Sequence, residues 1–251
     1  MNLFLERIYR YQLHIGIAAV LLSIEHSIVC TGQIIESRLL ISGVCATLGY
    51  IYLRQYETNS TALRIVLTIL ILGIGFLTTT REFLALVIGG ILVLFYAHSF
   101  RKWSGIRAIS IGKTATIGIC WALMVCGIPE TRDKELYHAV SVFFLVTAIS
   151  MQCDIRDMED DRGIIQTIPL ILEVRVSRLL ILLMLALSCA CLWPWLTTQS
   201  FPVFIAEYAL MLLTMLISSL SGRMRNKAGY ELLSDLPLML RGLITMGALF
   251  I

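Results

Sequence analysis

The sequence predicts an all-α integral membrane protein, and three observations carry that prediction. Hydrophobic residues fill 58% of the 251 positions and charged residues only 15%, against roughly 25% charged in an ordinary soluble domain. Apolar stretches recur along the whole length, the longer ones near the ~20 residues a helix needs to cross a bilayer. The basic residues fall unevenly once those stretches are read as spans. Helices are the expected form because hydrocarbon does not tolerate unpaired backbone groups, and the sequence lacks the alternating pattern of a barrel.

Nine spans are expected, at about 11–30, 38–56, 62–80, 82–100, 107–128, 136–153, 176–196, 200–220 and 237–251. The opening MNLFLERIYRYQLHIGIAAVLLSIEHS has the basic-then-apolar order of a signal peptide but lacks a convincing small-residue cleavage pattern, so it reads as a retained first span. The segment WPWLTTQSFP joins spans seven and eight, with Trp193 and Trp195 as interface anchors and Pro194 and Pro202 at helix ends. The last span is the weakest and reaches full length only by starting before Pro237.

Charge tests this segmentation. With the N-terminus in the cytoplasm, all but four of the 20 Lys and Arg residues fall toward the cytoplasmic end, Lys113 and Arg241 lying a turn or two into their spans. The exceptions are Arg38, Arg81, Arg132 and Lys134. This bias supports nine spans with the N-terminus inside, and residues 1–251 read as a single transmembrane helical domain. The net charge of +3 comes without a compact basic face interleaved with aromatics, so nucleic acid is not an expected partner; the lipid bilayer is. The absence of an Arg-rich, acid-poor leader favours a bacterial inner membrane over an organellar one. The seven cysteines form no CxxC pair and read as small packed hydrophobes. His14, His26, His98 and His138 are scattered among the spans without convincing zinc spacing and read as packing or interface residues.

One stretch stands out chemically. MQCDIRDMEDDRGIIQTIP, residues 151 to 169, sets five carboxylates just beyond span six, on the cytoplasmic side. Asp154, Asp157 and Asp161 are spaced by three and four residues and would share one side of a continuous helix, whereas Glu159 and Asp160 are better suited to solvation. Such a stripe repels itself unless a cation neutralises it. A hard divalent ion, Mg²⁺, suits one or two of these oxygens, with water and substrate phosphates completing its shell. Arg156, Arg162 or a basic residue from another loop would bind the outer oxygens of a diphosphate. Acidic segments also end ordinary membrane helices, so the spacing alone leaves both readings open.

The residues that follow add to it. Gly163 permits a tight turn and Thr167-Ile168-Pro169 stiffens re-entry into the next apolar segment. DxxDxxxD, a glycine, then threonine, an apolar residue and proline resembles the second aspartate-rich signature of the UbiA family of membrane prenyltransferases, although Gly163 is closer to the last aspartate than the family pattern has it. YAHSFRKW, residues 96 to 103, is similar to the family's tyrosine, serine and basic residues after helix four, and RNKAGYELLSDLPLML, residues 225 to 240, to its connection into the last helix. The resemblance implies a nine-transmembrane-helix UbiA-like bundle with the second signature after helix six. It also implies Mg²⁺-assisted transfer of a prenyl group from a prenyl diphosphate to a small aromatic or lipid-like acceptor. Asp154, Asp157 and Asp161 would then hold the metal, and Arg156 and Lys102 would assist the diphosphate.

The family's first aspartate-rich signature has no full counterpart. GYIYLRQYETNS, residues 49 to 60, contains no aspartate. Leu53 and Arg54 occupy the approximate Asn-Asp positions and Glu57 stands where one acid belongs, so Arg54 either binds phosphate directly or pairs with Asp154 or Asp157. Tyr50, Tyr52, Tyr56 and Tyr96 are candidates for cation stabilisation or plain interface tyrosines. Lys113 either snorkels to the interface or lines the polar mouth and meets diphosphate. Arg101 and Lys102 serve topology or form a phosphate-facing rim. Two further functions compete: a catalytically inactive relative that still binds lipid or diphosphate, and a transporter, the latter kept in play by Glu25 and Glu207 inside apolar spans.

Overall fold

The computed structural model describes residues 13–56, 73, 78–97, 105–129, 133–163, 165–196, 209–210, 213–214, 216–217 and 227–247. Every regular element among them is helical. In chain order these are α1 (Leu13–Thr31), α2 (Glu36–Tyr56), α3 (Thr80–Ala97), a 3₁₀ turn (Ile106–Ala108), α4 (Ser110–Cys126), α5 (Asp133–Arg156), the single-turn α6 (Met158–Asp161), α7 (Ile168–Leu196) and α8 (Lys227–Gly247).

The expected all-α class agrees with this, but the nine-transmembrane-helix bundle does not. Among the described residues there are eight α-helices, and only α1 and α5 are long and apolar enough to cross a membrane. The reasons are local. α4 is 17 residues long, α6 is four, and α7 is broken in direction at Glu173, whose φ of 66° is unusual for a residue with a side chain. The expected spans at 62–80 and 200–220 lie largely outside the described residues. The last helix does begin before Pro237, at Lys227, and carries that proline inside it.

The start of α3 shows how sequence sets an element's end. Thr79 and Glu82 form a reciprocal capping box: the Glu82 amide donates to Thr79 Oγ1 at 3.4 Å and the Thr79 amide to Glu82 Oε2 at 3.1 Å. Arg38 then donates to Glu82 Oε1 at 2.9 Å, tying the start of α2 to that of α3.

Two packed groups meet along α5. α1 lies between α2 and α8, while α3, α4, α5 and α7 pack in succession, and α1 also touches α4 and α5. Ala18, Ala19 and Leu22 of α1, Val125 of α4, and Val142 and Ala148 of α5 are fully buried in the shared core. Small residues set the closest approaches. A methyl group at Gly242 of α8 would collide with the Leu21 backbone of α1, and one at Gly118 of α4 would meet Phe143 and Thr147 of α5.

Polarity runs inward. Leu84, Ile88, Ile91 and Phe95 form an exposed apolar stripe on α3, and Leu172, Val176, Leu179 and Leu183 another on α7. Glu25, His26, His138, Ser141, Gln152 and Arg241 are buried instead. Apolar faces outside and paired polar groups inside are the arrangement a hydrocarbon solvent selects.

Candidate active site

The acidic loop is built where α5 ends. Asp154 belongs to the last turn of α5, Asp157 is the turn residue between helices (φ −89°, ψ 6°), and Asp161 closes α6. Backbone bonds from Asp157 to Cys153 and from Asp161 to Asp157 keep a helical course through this break. Gly163 follows with φ 85°, a conformation that costs glycine little. The Thr167 carbonyl then accepts from Leu170 and Ile171 at the start of α7, with Pro169 in the first turn where no N–H is required.

The break gives the three aspartates different partners. Lys113, in the first turn of α4, donates to Asp154 Oδ1 at 2.5 Å and lies 3.6 Å from Asp161 Oδ2. It therefore sits one turn inside its helix, with its charge held by acids rather than reaching alone for the interface. Asp157 is taken by its neighbour, with Arg156 Nε donating to Oδ1 at 2.7 Å and Nη2 to Oδ2 at 2.5 Å, the paired geometry guanidinium favours. Glu159, Asp160 and Arg162 are exposed.

Tyr96, at the end of α3, lies within electrostatic range of Lys113, Arg107, Asp154 and Asp161, so α3, α4 and α5 converge on this loop. Tyr50 of α2 accepts from Trp121 Nε1 of α4 at 3.4 Å and is half-buried. The Arg54 side chain, Glu57, Arg101 and Lys102 lie outside the described residues.

The oxygens still open at this loop bear on a metal. Asp154 Oδ2 and Asp161 Oδ2 are buried and accept no hydrogen bond. Two hard carboxylate oxygens beside one ammonium fit the partial protein shell that Mg²⁺ takes when phosphate supplies the rest. The three aspartates do not by themselves form a compact ligand set: among the described residues, only His26, Cys126 and His138 bring three ligand atoms within 4.8 Å of one another.

The sequence matches the UbiA prenyltransferase family over residues 54–231. The chain belongs to that family. Two solved structures share the UbiA fold with it. The apo structure of a UbiA homolog from Aeropyrum pernix K1 superposes with a TM-score of 0.65 at 12% identity, covering 95% of this chain and 98% of that one. A structure described as giving structural and mechanistic insights into the biosynthesis of digeranylgeranylglyceryl phosphate synthase in membranes superposes at 0.59 with 14% identity, covering 97% of each chain. No curated protein sequence matches. Family membership and the two candidate spans make this a membrane-associated protein.

This UbiA-family chain also holds a polar centre whose assembly was not foreseen. Glu25 Oε1 accepts from Arg241 Nε at 2.7 Å and lies 3.0 Å from His138 Nε2, joining α1, α8 and α5. Arg241 Nη2 reaches Ser141 at 3.0 Å. Arg241, counted toward the cytoplasmic charge in the sequence, is in fact buried and paired across the bundle. The available signal was a lone glutamate in the first apolar stretch and a lone arginine in the last. Glu207 lies outside the described residues. A small cavity of about 20 Å³ adjoins this centre, lined in part by Leu145, Leu185, Ser188 and Arg241; none of the three aspartates lines it.

Proposed function

We propose that the chain binds a prenyl diphosphate at the loop from Asp154 to Asp161 and transfers its prenyl group to a small aromatic or lipid-like acceptor. The observation that carries this reading is the convergence of Asp154 and Asp161 on Lys113, each acid keeping one buried oxygen that accepts no hydrogen bond. The allylic carbon–oxygen bond breaks with its electron pair leaving on the diphosphate. A bond then forms between that carbon and the acceptor's nucleophilic atom, which gives up a proton.

Mg²⁺ held by Asp154 and Asp161 would supply the positive charge that stabilises the departing diphosphate. The chain's own cations contribute alongside it. Lys113 keeps the two acids together and has N–H groups left for a phosphate oxygen. Arg156 and Arg162 border the same loop, and Arg101 and Lys102 would complete the rim. Tyr96 would offer a ring face to a developing allylic cation. Arg54 and Glu57 would supply the opposite side in place of the missing first aspartate signature. Asp157, engaged by Arg156, has the lesser part in holding metal.

We read this mouth as facing the cytoplasm, the membrane as a bacterial inner membrane and residues 1–251 as one helical domain. A second reading, diphosphate binding without turnover, is favoured by the acid-poor LRQYET segment and by the closure of Arg156 on Asp157. Purified protein in liposomes, given prenyl diphosphates of several lengths with and without Mg²⁺, separates the two readings. Transfer requires consumption of the diphosphate once an acceptor is supplied; saturable binding with no consumption across a panel of aromatic and lipid acceptors supports the second reading.

A further inference from the structure

We infer that His26, Cys126 and His138, with Cys30 as a fourth ligand, form a buried structural Zn²⁺ site at the end of the bundle opposite the acidic loop. The ligand atoms of His26, Cys126 and His138 already lie within 4.8 Å of one another, and Cys30 Sγ adjoins the set through His26. His26 Nδ1 is 3.2 Å from His138 Nδ1, Cys126 Sγ is 3.4 Å from His138 Nδ1, and Cys30 Sγ is 3.6 Å from His26 Nδ1. A tetrahedral ion with Zn–N near 2.0–2.1 Å and Zn–S near 2.3 Å holds such atoms about 3.3–3.8 Å apart.

The surroundings favour a metal as well. Glu25 Oε1, 3.0 Å from His138 Nε2, fixes the ring proton on that nitrogen and leaves the Nδ1 lone pair directed at the cluster. The Glu25 charge is itself answered by Arg241 at 2.7 Å. Two thiolates and two neutral imidazoles around Zn²⁺ make a set with no net charge, which burial in an apolar bundle demands. His26, His138 and Cys126 are buried, while Cys30 is half-buried one residue before exposed Thr31, giving an ion a short path from the bundle end.

Three helices supply the ligands: His26 and Cys30 are one turn apart on α1, Cys126 ends α4, and His138 lies near the start of α5. His138 and Asp154 are separated on α5 by about 24 Å at 1.5 Å per residue, so this site is independent of the proposed diphosphate chemistry. Its role is to clamp α1, α4 and α5 at the end where the candidate active site gives no support.

Metal analysis of the full chain, purified in detergent without chelator, tests the site. The expected result is close to one zinc per chain. Replacement by Co²⁺ should give a cobalt–thiolate absorption band, weakened in Cys30→Ser. Affinity should fall at least tenfold in Cys126→Ser and in His26→Ala, and be kept in Cys191→Ser. Should those two variants fail to fold, the wild type alone decides: stripping the metal should lower its Tm, and Zn²⁺ should restore it. A wild-type protein that neither carries nor takes up Zn²⁺ or Co²⁺, or zinc held equally by Cys126→Ser and His26→Ala, would overturn the site. Copper on the same residues would overturn the assignment to zinc.

Discussion

Lys113 and Asp154 show most directly how a single pair shapes this protein. Both are largely removed from solvent, with side-chain exposures of 13% and 2%, so each charge relies on the other. Removing one partner of such a pair costs about 3 kcal/mol or more because the remaining charge stays buried. Lys113→Met should therefore destabilise the protein by about that much, measured by thermal unfolding in detergent. Asp154→Asn should cost less, since Lys113 keeps Asp161 at 3.6 Å. Replacing both, Lys113→Met with Asp154→Leu, should recover most of the loss; a double variant as unstable as Lys113→Met would show that burial, not pairing, sets the cost. A solitary lysine near the start of an apolar stretch marks this site in the sequence. Its partner does not show there, because Asp154 is 41 positions away and only the packing of α4 on α5 brings it close. The same holds for Arg156 and Asp157: adjacency is visible, but their mutual engagement depends on the break between α5 and α6.

At the scale of elements, the junction of α1, α5 and α8 combines a buried charge network with a close backbone crossing. Arg241→Met should destabilise the bundle by about 3–5 kcal/mol by leaving Glu25 buried beside His138 alone. Arg241→Met combined with Glu25→Leu should be milder, and unfolding of the two variants side by side checks the difference. Gly242→Ala adds only a methyl group, yet that group meets the Leu21 backbone, which cannot rotate away. The expected cost is about 1–3 kcal/mol from forced separation of α1 and α8, read as a lowered Tm. Helix positions were largely legible because apolar runs and their polar ends are local properties; the ends were less so. The Thr79–Glu82 capping box starts α3 two residues before the expected span, and α7 begins at Ile168 because Pro169 suits a first turn. Pairing between helices was not legible. Glu25 and Arg241 lie 216 positions apart, and no local pattern records that they meet.

For the molecule as a whole, the UbiA resemblance read from DxxDxxxD and its flanking residues agrees with the family match and with fold likeness over nearly the entire chain. The expected nine-span count failed because it treated every apolar stretch as an independent crossing. A kinked α7 and a 17-residue α4 depart from uniform spans, and their buried polar contacts depend on neighbours rather than on hydropathy alone. The expectation of one continuous aspartate stripe likewise took no account of the turn at Asp157. That turn gives the acids unequal partners, and the central proposal rests on that inequality: Asp154 and Asp161 would hold the cation, with Asp157 in a lesser part. The most direct measurement is Mg²⁺-dependent binding of a prenyl diphosphate to the protein in liposomes, comparing wild type with Asp154→Asn, Asp157→Asn and Asp161→Asn. The account predicts at least a tenfold loss of Mg²⁺-dependent affinity for the first and third variants and a smaller loss for Asp157→Asn. Binding that ignores Mg²⁺, or that survives all three substitutions unchanged, would contradict it.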